Sequence, residues 1–196
     1  MNYRPYLAEL LGTFLLALLV RVSVGMTLPI ATPIIAALTL GFVVYTLGPV
    51  SGAHINPAVT LALYSVRKIS RNEAGKYILA QVIGAALAIL LAKQLPLGAL
   101  SATPNIPAGF FGEVLGAAVF LVGIASVVSR KSPESLSGIV VGWSLLLGIL
   151  MAVGIGSAGI LNPAVALILG SLSFNYIVGP IVGAIAGVWL YRAIAE

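Results

Sequence analysis

The sequence predicts an all-α membrane protein with six transmembrane helices plus two re-entrant half-helices, arranged as an inverted repeat of three spans per half. Three observations predict this fold class. The 196 residues are 60% hydrophobic and only 8% charged, with a mean hydropathy of +1.14, which ordinary soluble domains do not reach. Six apolar stretches are each long enough to cross a hydrocarbon core of about 30 Å. A ten-residue motif occurs twice, at 51–60 and 157–166.

The full-length spans are predicted, in chain order, at 6–24, 29–47, 74–93, 109–129, 136–153 and 174–193. The first span carries Glu9 in its apolar run and lacks a small-residue cleavage motif, so we predict a membrane helix there and not a cleavable signal peptide. We expect a single transmembrane domain over 1–196, with the first repeat at 1–103 and the inverted second repeat at 104–196.

The two half-helices follow spans two and five. Each begins with the same three residues, Asn56, Pro57 and Ala58 in the first copy and Asn162, Pro163 and Ala164 in the second. Asn is a strong N-cap, and Pro suits the first helical position. The apolar runs that follow cover only about half of the hydrocarbon core at roughly 1.5 Å per residue. Irregular backbone, predicted at 48–55 and 154–161, is tolerated at membrane depth only where it is buried or lines a wet cavity.

The two halves of the chain align with each other. Residues around Glu9 match those around Glu113, and Tyr77 matches Tyr176, in nearly the same register as the two Asn-Pro-Ala segments. Such agreement indicates an internal duplication. Because each half has three spans, the second half must enter the membrane from the opposite side.

Positive charge predicts the orientation. The formal net charge is +5, but the ten Lys and Arg residues lie between apolar spans and form no nucleic-acid-binding face. With both termini in the cytoplasm of a cell (inner or plasma) membrane, only Arg21 and Lys93 lie outside, and we expect Arg21 to reach the lipid headgroups. The cytoplasmic side then holds Arg4, Arg67, Lys68, Arg71, Lys76, Arg130, Lys131 and Arg192.

The half-helices predict a pore for neutral molecules. Their N-termini should meet near the midplane, where two positive helix ends disfavour cations. Each Asn can cap its own helix with its side-chain oxygen, which leaves its NH₂ group as a donor into the pathway. With no cysteine and one histidine, the chain offers no metal-ligand set, and we expect no metal.

The chain resembles the aquaporin, or major intrinsic protein, family over nearly its whole length. The paired Asn-Pro-Ala segments carry the resemblance, together with the segment 51–60, Glu9, Glu113 and the run 80–85 that contains Gln81. The resemblance implies a homotetramer in the lipid bilayer with one pore per protomer, passive diffusion of water and small neutral solutes, and no cofactor. We expect the polar residues Glu9, Glu113, Gln81 and His54 to support the re-entrant segments. The alternatives are a proton-carrying role for the two glutamates, and a pore-wall or pH-gating role for His54.

One position departs from the family pattern. The residue three after the second Asn is usually Arg in this family, and here it is Val165. By the family's spacing, the other outer-filter positions fall at Ala36, at Gly159 and at either Ile149 or Leu150. A filter of small and aliphatic residues favours glycerol-like polyols, urea, ammonia or neutral metalloid hydroxides alongside water, with a strict water channel as the alternative.

Other classes of protein find less support. A secondary transporter uses inverted repeats too, but needs a coupling-ion site or charged contact at the midplane. A non-conducting structural or adhesion protein would show a sealed filter or interaction tails. An enzyme would need a nucleophile–base pair or paired carboxylates, and Glu9 and Glu113 belong to opposite halves. We therefore predict a channel and no enzymatic activity.

Overall fold

Six long helices carry the apolar spans in the computed structural model, which describes residues 2–101 and 106–195. All six are long and apolar enough to cross a membrane. They are α1 (Arg4–Gly25), α2 (Thr32–Ser51), α4 (Arg71–Ala92), α5 (Pro107–Val128), α6 (Ser137–Ile155) and α8 (Phe174–Ala195). Two short helices, α3 (Pro57–Ser65) and α7 (Pro163–Ile168), complete the two halves, and a 3₁₀ turn at Glu134–Leu136 leads into α6. The fold class predicted from the sequence is confirmed.

The helices before the half-helices extend further than predicted. α2 continues through Pro49 to Ser51 and ends at Gly52, whose φ of 86° places it in the left-handed region. α6 likewise runs to Ile155 and ends at Gly156, with a φ of 102°. Glycine adopts this helix-ending conformation without steric cost. The irregular segments are therefore 52–56 and 156–162, and the longer segments predicted at 48–55 and 154–161 are wrong at their N-terminal ends.

Close helix pairs repeat between the two halves. α1 packs on α4 where a Cβ on Gly84 would clash with the carbonyl of Leu10. α5 packs on α8 where a Cβ on Gly183 would clash with the carbonyl of Val114. Small residues let membrane helices approach closely enough for backbone atoms to touch. The same pairing in both halves is what a duplicated chain requires.

The crossing of α2 and α6 joins the two halves. A Cβ on Gly41 would lie 2.9 Å from the carbonyl oxygen of Gly138, and one on Gly142 would lie 2.6 Å from that of Ala37. The half-helices pack inside this frame, with α3 against α4 and α8, and α7 against α1 and α4. Large apolar side chains such as Trp143 cover the outside, where lipid would surround them.

Candidate functional site

The two half-helices begin in the same way. The side-chain Oδ1 of Asn56 accepts a hydrogen bond from the backbone N–H of Ala58 at 2.8 Å, and Pro follows the Asn at the first helical position. The Oδ1 of Asn162 accepts from the N–H of Ala164 at 2.9 Å. Each Asn thus satisfies one of the helix donors that has no partner within its own helix.

The free amide of each Asn reaches across to the other half of the chain. Nδ2 of Asn56 donates to the carbonyl of Leu161 at 2.9 Å, and Nδ2 of Asn162 donates to that of Ile55 at 3.1 Å. The expectation that each Asn leaves its NH₂ group as a donor into the pathway is therefore met only in part, because one hydrogen of each group is held by the opposite segment. An amide has two hydrogens, so one N–H per Asn remains for a solute.

The residues before the two Asn carry backbone strain. Ile55 has a φ of 40° and Leu161 a φ of 54°, and both side chains are fully buried. The left-handed conformation costs a non-glycine residue about 1–2 kcal/mol. Their carbonyls are the acceptors for the opposite Asn amides, so this strained geometry coincides with the reciprocal bonds that join the two halves.

Two buried glutamates hold the re-entrant backbone. Glu9 accepts from the N–H groups of His54 at 2.9 Å and Ile55 at 2.7 Å. Glu113 accepts from the N–H groups of Ile160 at 2.9 Å and Leu161 at 2.6 Å. Each carboxyl group also accepts from a serine hydroxyl, Ser51 in the first half and Ser157 in the second. Irregular segments that cannot bond to water in a membrane obtain their acceptors in this way.

The first half has an additional polar network. Nε2 of Gln81 donates to Glu9 at 2.7 Å and to the hydroxyl of Thr60 at 2.9 Å. That hydroxyl also lies 3.2 Å from Nδ1 of His54, whose ring packs edge-on against Tyr77. His54 therefore has a structural hydrogen bond and also contributes to the wall of the cavity described next.

A cavity of about 270 Å³ lies between the helices and includes both Asn side chains in its wall. Four of the five residues predicted for the outer filter line it: Ala36, Ile149, Gly159 and Val165. No Asp, Glu, Lys or Arg belongs to the lining in the described part of the chain, and His54 is its one titratable side chain there. The wall is mostly apolar, with the Asn amides as its central donors.

Leu150, the alternative to Ile149, does not line the cavity. Its side chain is 54% exposed on the outer surface, whereas Ile149 is 7% exposed and faces the cavity. Neighbouring residues on a helix with 3.6 residues per turn point in directions about 100° apart, so only one of the two can face inward. Gly159 has a φ of 68° and packs against Ile149. A Cβ added to Gly159 would lie only 3.0 Å from Cγ2 of Ile149, so the absence of a side chain allows this close contact.

Sequence reasoning missed part of the lining. Leu16, Val20 and Val24 of α1 line the cavity at four-residue spacing, and Phe120 of α5 occupies the position in the second repeat that Leu16 has in the first. The four-residue spacing and the alignment of the repeats were signals that could have identified these residues. The connection between α4 and α5 also contributes Leu100 and Ser101 to the lining, and no sequence motif indicated these residues.

The sequence is similar to those of a known protein family and of several of its members. The family described as Major intrinsic protein matches residues 1–191. The probable aquaporin AqpM of Archaeoglobus fulgidus is 37% identical over 82% of this chain and 74% of its own length. The glycerol uptake facilitator protein-like 6 of Lactiplantibacillus plantarum is 36% identical, over 98% of this chain and 99% of its own.

A solved structure shares the fold. The X-ray structure of the aquaglyceroporin from Plasmodium falciparum matches with a TM-score of 0.69 at 22% identity, covering 98% of this chain and 95% of that one. Identity this low shows a common fold alone.

Proposed function

Because this chain belongs to the major intrinsic protein family, we propose that it is a passive channel for small uncharged solutes. Members of this family are channels and not enzymes, and the six apolar helices make this a multi-pass membrane protein. The observation that carries the proposal is the uncharged cavity shared by Asn56, Asn162 and the filter residues Ala36, Ile149 and Val165. A solute crosses it by exchanging water contacts for contacts with this wall.

Exclusion of ions follows from the same wall. A cation entering the cavity would leave its hydration shell and find no carboxylate to replace it, since the lining holds no acidic side chain in the described residues. Transferring an unpaired charge into such surroundings costs several kcal/mol or more. The N-termini of α3 and α7 and the amide hydrogens of Asn56 and Asn162 add a positive potential at the centre.

The filter favours solutes larger than water. Ala36, Ile149 and Val165 present only small or aliphatic side chains and no charged group, so the filter leaves room for solutes larger than water. Glycerol could place its carbon side against these residues and its hydroxyls toward the Asn amides. We therefore propose water together with glycerol, urea, ammonia or neutral metalloid hydroxides as the permeant class.

The relatives support both water and polyols. One is named a probable aquaporin and another a glycerol uptake facilitator-like protein. A strict water channel is the second candidate, and the names of the aquaporin relatives favour it. Val165 favours the broader class, because it places no charged group where an arginine would narrow the path.

Assembly and orientation complete the proposal. We propose one pore per protomer in a homotetramer, as the family resemblance implies. We also propose that both termini face the cytoplasm of a cell membrane, because eight of the ten Lys and Arg residues then lie on the cytoplasmic side. Lipid would cover the remaining apolar surface.

Stopped-flow light scattering on proteoliposomes tests the function. We expect protein-dependent water, glycerol and urea flux, protein-dependent arsenite uptake if metalloid hydroxides permeate, and no increase in proton leak measured with an entrapped pH dye. Empty liposomes of the same lipid are the control. Equal rates with and without protein for every solute would refute the channel, and faster water flux alone would favour the strict water channel.

A further inference from the structure

The outer connection between α4 and α5 contributes to the cavity wall. Leu100 and Ser101 belong to this connection, and both line the cavity. Most of the other lining residues come from helices or from the two segments around the Asn-Pro-Ala boxes. A loop residue can form part of such a wall only if something holds the loop in place.

Arg21 and the end of α1 hold this loop. Nη2 of Arg21 donates to the carbonyl of Gly98 at 2.8 Å. In return, the N–H of Gly98 donates to the carbonyl of Gly25, the last residue of α1, at 2.9 Å. The last carbonyls of a helix have no partner within the helix, so the loop satisfies one of them. Gly98 is thus fixed by two bonds, three residues before Ser101.

The guanidinium of Arg21 packs tightly in this place. A Cβ added to Gly25 would clash with Nη1 of Arg21 and would lie 3.0 Å from the Cβ of Leu97. A side chain at position 25 would therefore displace the guanidinium from its place beneath the loop. Although we expected Arg21 to reach the lipid headgroups, its hydrogen bond goes to the chain's own loop.

We propose that Leu100 and Ser101 are specificity-determining residues at the outer mouth of the pore, and that Arg21 is the positioning residue that holds them there. The proposal rests on the proposed function, because it adds a wall to that solute path. The hydroxyl of Ser101 can donate and accept, and the hydroxyl residues Thr32 and Ser171 line the same cavity. A polyol that loses water at the mouth can keep hydrogen bonds there before it reaches the apolar filter.

The absence of cysteine in the chain allows a direct test of the wall. Ser101→Cys is reconstituted, its flux is measured, and a positively charged methanethiosulfonate reagent is then added on both sides of the membrane. We expect the unlabelled variant to conduct water and glycerol with a lower glycerol-to-water flux ratio than the unsubstituted chain, because a thiol forms weaker hydrogen bonds than a hydroxyl. We expect the label to remove most of this flux and dithiothreitol to restore it. Gln94→Cys, in the same connection but exposed and outside the lining, is the matched control.

The outcomes separate this proposal from the channel function itself. Full labelling of Ser101→Cys with unchanged flux, equal to that of labelled Gln94→Cys, would overturn the wall proposal while the channel stands. Absence of protein-dependent flux in the unsubstituted chain would overturn the channel and this proposal together. Loss of flux on labelling Ser101→Cys, with the flux of Gln94→Cys unchanged by the label, would support the wall proposal.

The role of Arg21 has its own readout. In the Ser101→Cys background, Arg21→Gln removes the charged donor, and we expect the label to block less and the glycerol-to-water flux ratio of the unlabelled protein to change. Arg21→Lys keeps a cationic donor and should restore much of the block. A block and a flux ratio identical in all three proteins would overturn the positioning role.

Discussion

Replacing Glu113 by Gln tests whether the buried carboxyl group holds the second re-entrant segment in its conducting geometry. The two carboxyl oxygens accept three hydrogen bonds, from the hydroxyl of Ser157 at 2.5 Å and from the N–H groups of Ile160 at 2.9 Å and Leu161 at 2.6 Å. Glutamine keeps one acceptor oxygen and replaces the other with an NH₂ donor. At least one of the three donors then loses its acceptor.

The lost hydrogen bond sets the expected loss of stability in Glu113→Gln. A buried donor left without a partner costs about 1–3 kcal/mol. If the new NH₂ group faces the N–H of Leu161, the segment must also shift, and the carbonyl of Leu161 is the acceptor for Nδ2 of Asn56. We therefore expect lower thermal stability and a loss of water and glycerol flux in similar proportion, because the central geometry changes for every solute.

The assay combines thermal unfolding in detergent with stopped-flow flux per reconstituted protein. Glu134→Gln is the control, since Glu134 is exposed in the 3₁₀ turn before α6. Glu9→Gln should cost at least as much as Glu113→Gln, because Glu9 accepts from Gln81 in addition to Ser51 and the backbone. A Glu113→Gln protein with the melting temperature and flux of Glu134→Gln would refute the reasoning.

Two further predictions concern the filter and the helix contacts. Val165→Arg places a cationic side chain in the cavity wall. In the stopped-flow assay, this variant should reduce glycerol flux more than water flux. An unchanged glycerol-to-water flux ratio would mean that position 165 does not line the constriction. Gly183→Ala puts a methyl group against the backbone of Val114 and should destabilise the protein by about 1–3 kcal/mol in chemical or thermal unfolding. Gly75→Ala is its control, because a Cβ there meets nothing within 4 Å, and equal stability of the two variants would count against close packing of α5 on α8.

Much of the fold could be predicted because the responsible signals are local. An Asn followed by Pro predicts a helix start wherever it occurs, and a pair of such starts on a duplicated chain predicts the two half-helices. Glu9 and Glu113 could be paired for the same reason, since they occupy matching places in the two repeats. Their bonds to the re-entrant backbone are the three-dimensional result of that symmetry.

The remaining features depend on contacts between distant residues. Both Ile149 and Leu150 are aliphatic in a helix that is apolar on all sides, so hydrophobic periodicity gives no helical phase to choose between them. The reciprocal bonds of Asn56 and Asn162 require the exact separation of two segments from opposite halves. The contact of Arg21 with Gly98 joins residues far apart in the chain, and neither carries a recognisable pattern.

The most direct test of the solute path compares Ile149→Trp with Leu150→Trp. Position 149 lines the cavity, and position 150 lies on the outer surface of the same helix. We predict that Ile149→Trp loses most of its protein-dependent glycerol flux in proteoliposomes, while Leu150→Trp, reconstituted at equal amounts, keeps it. Equal glycerol flux in the two variants would contradict the claim that uncharged solutes cross through this cavity.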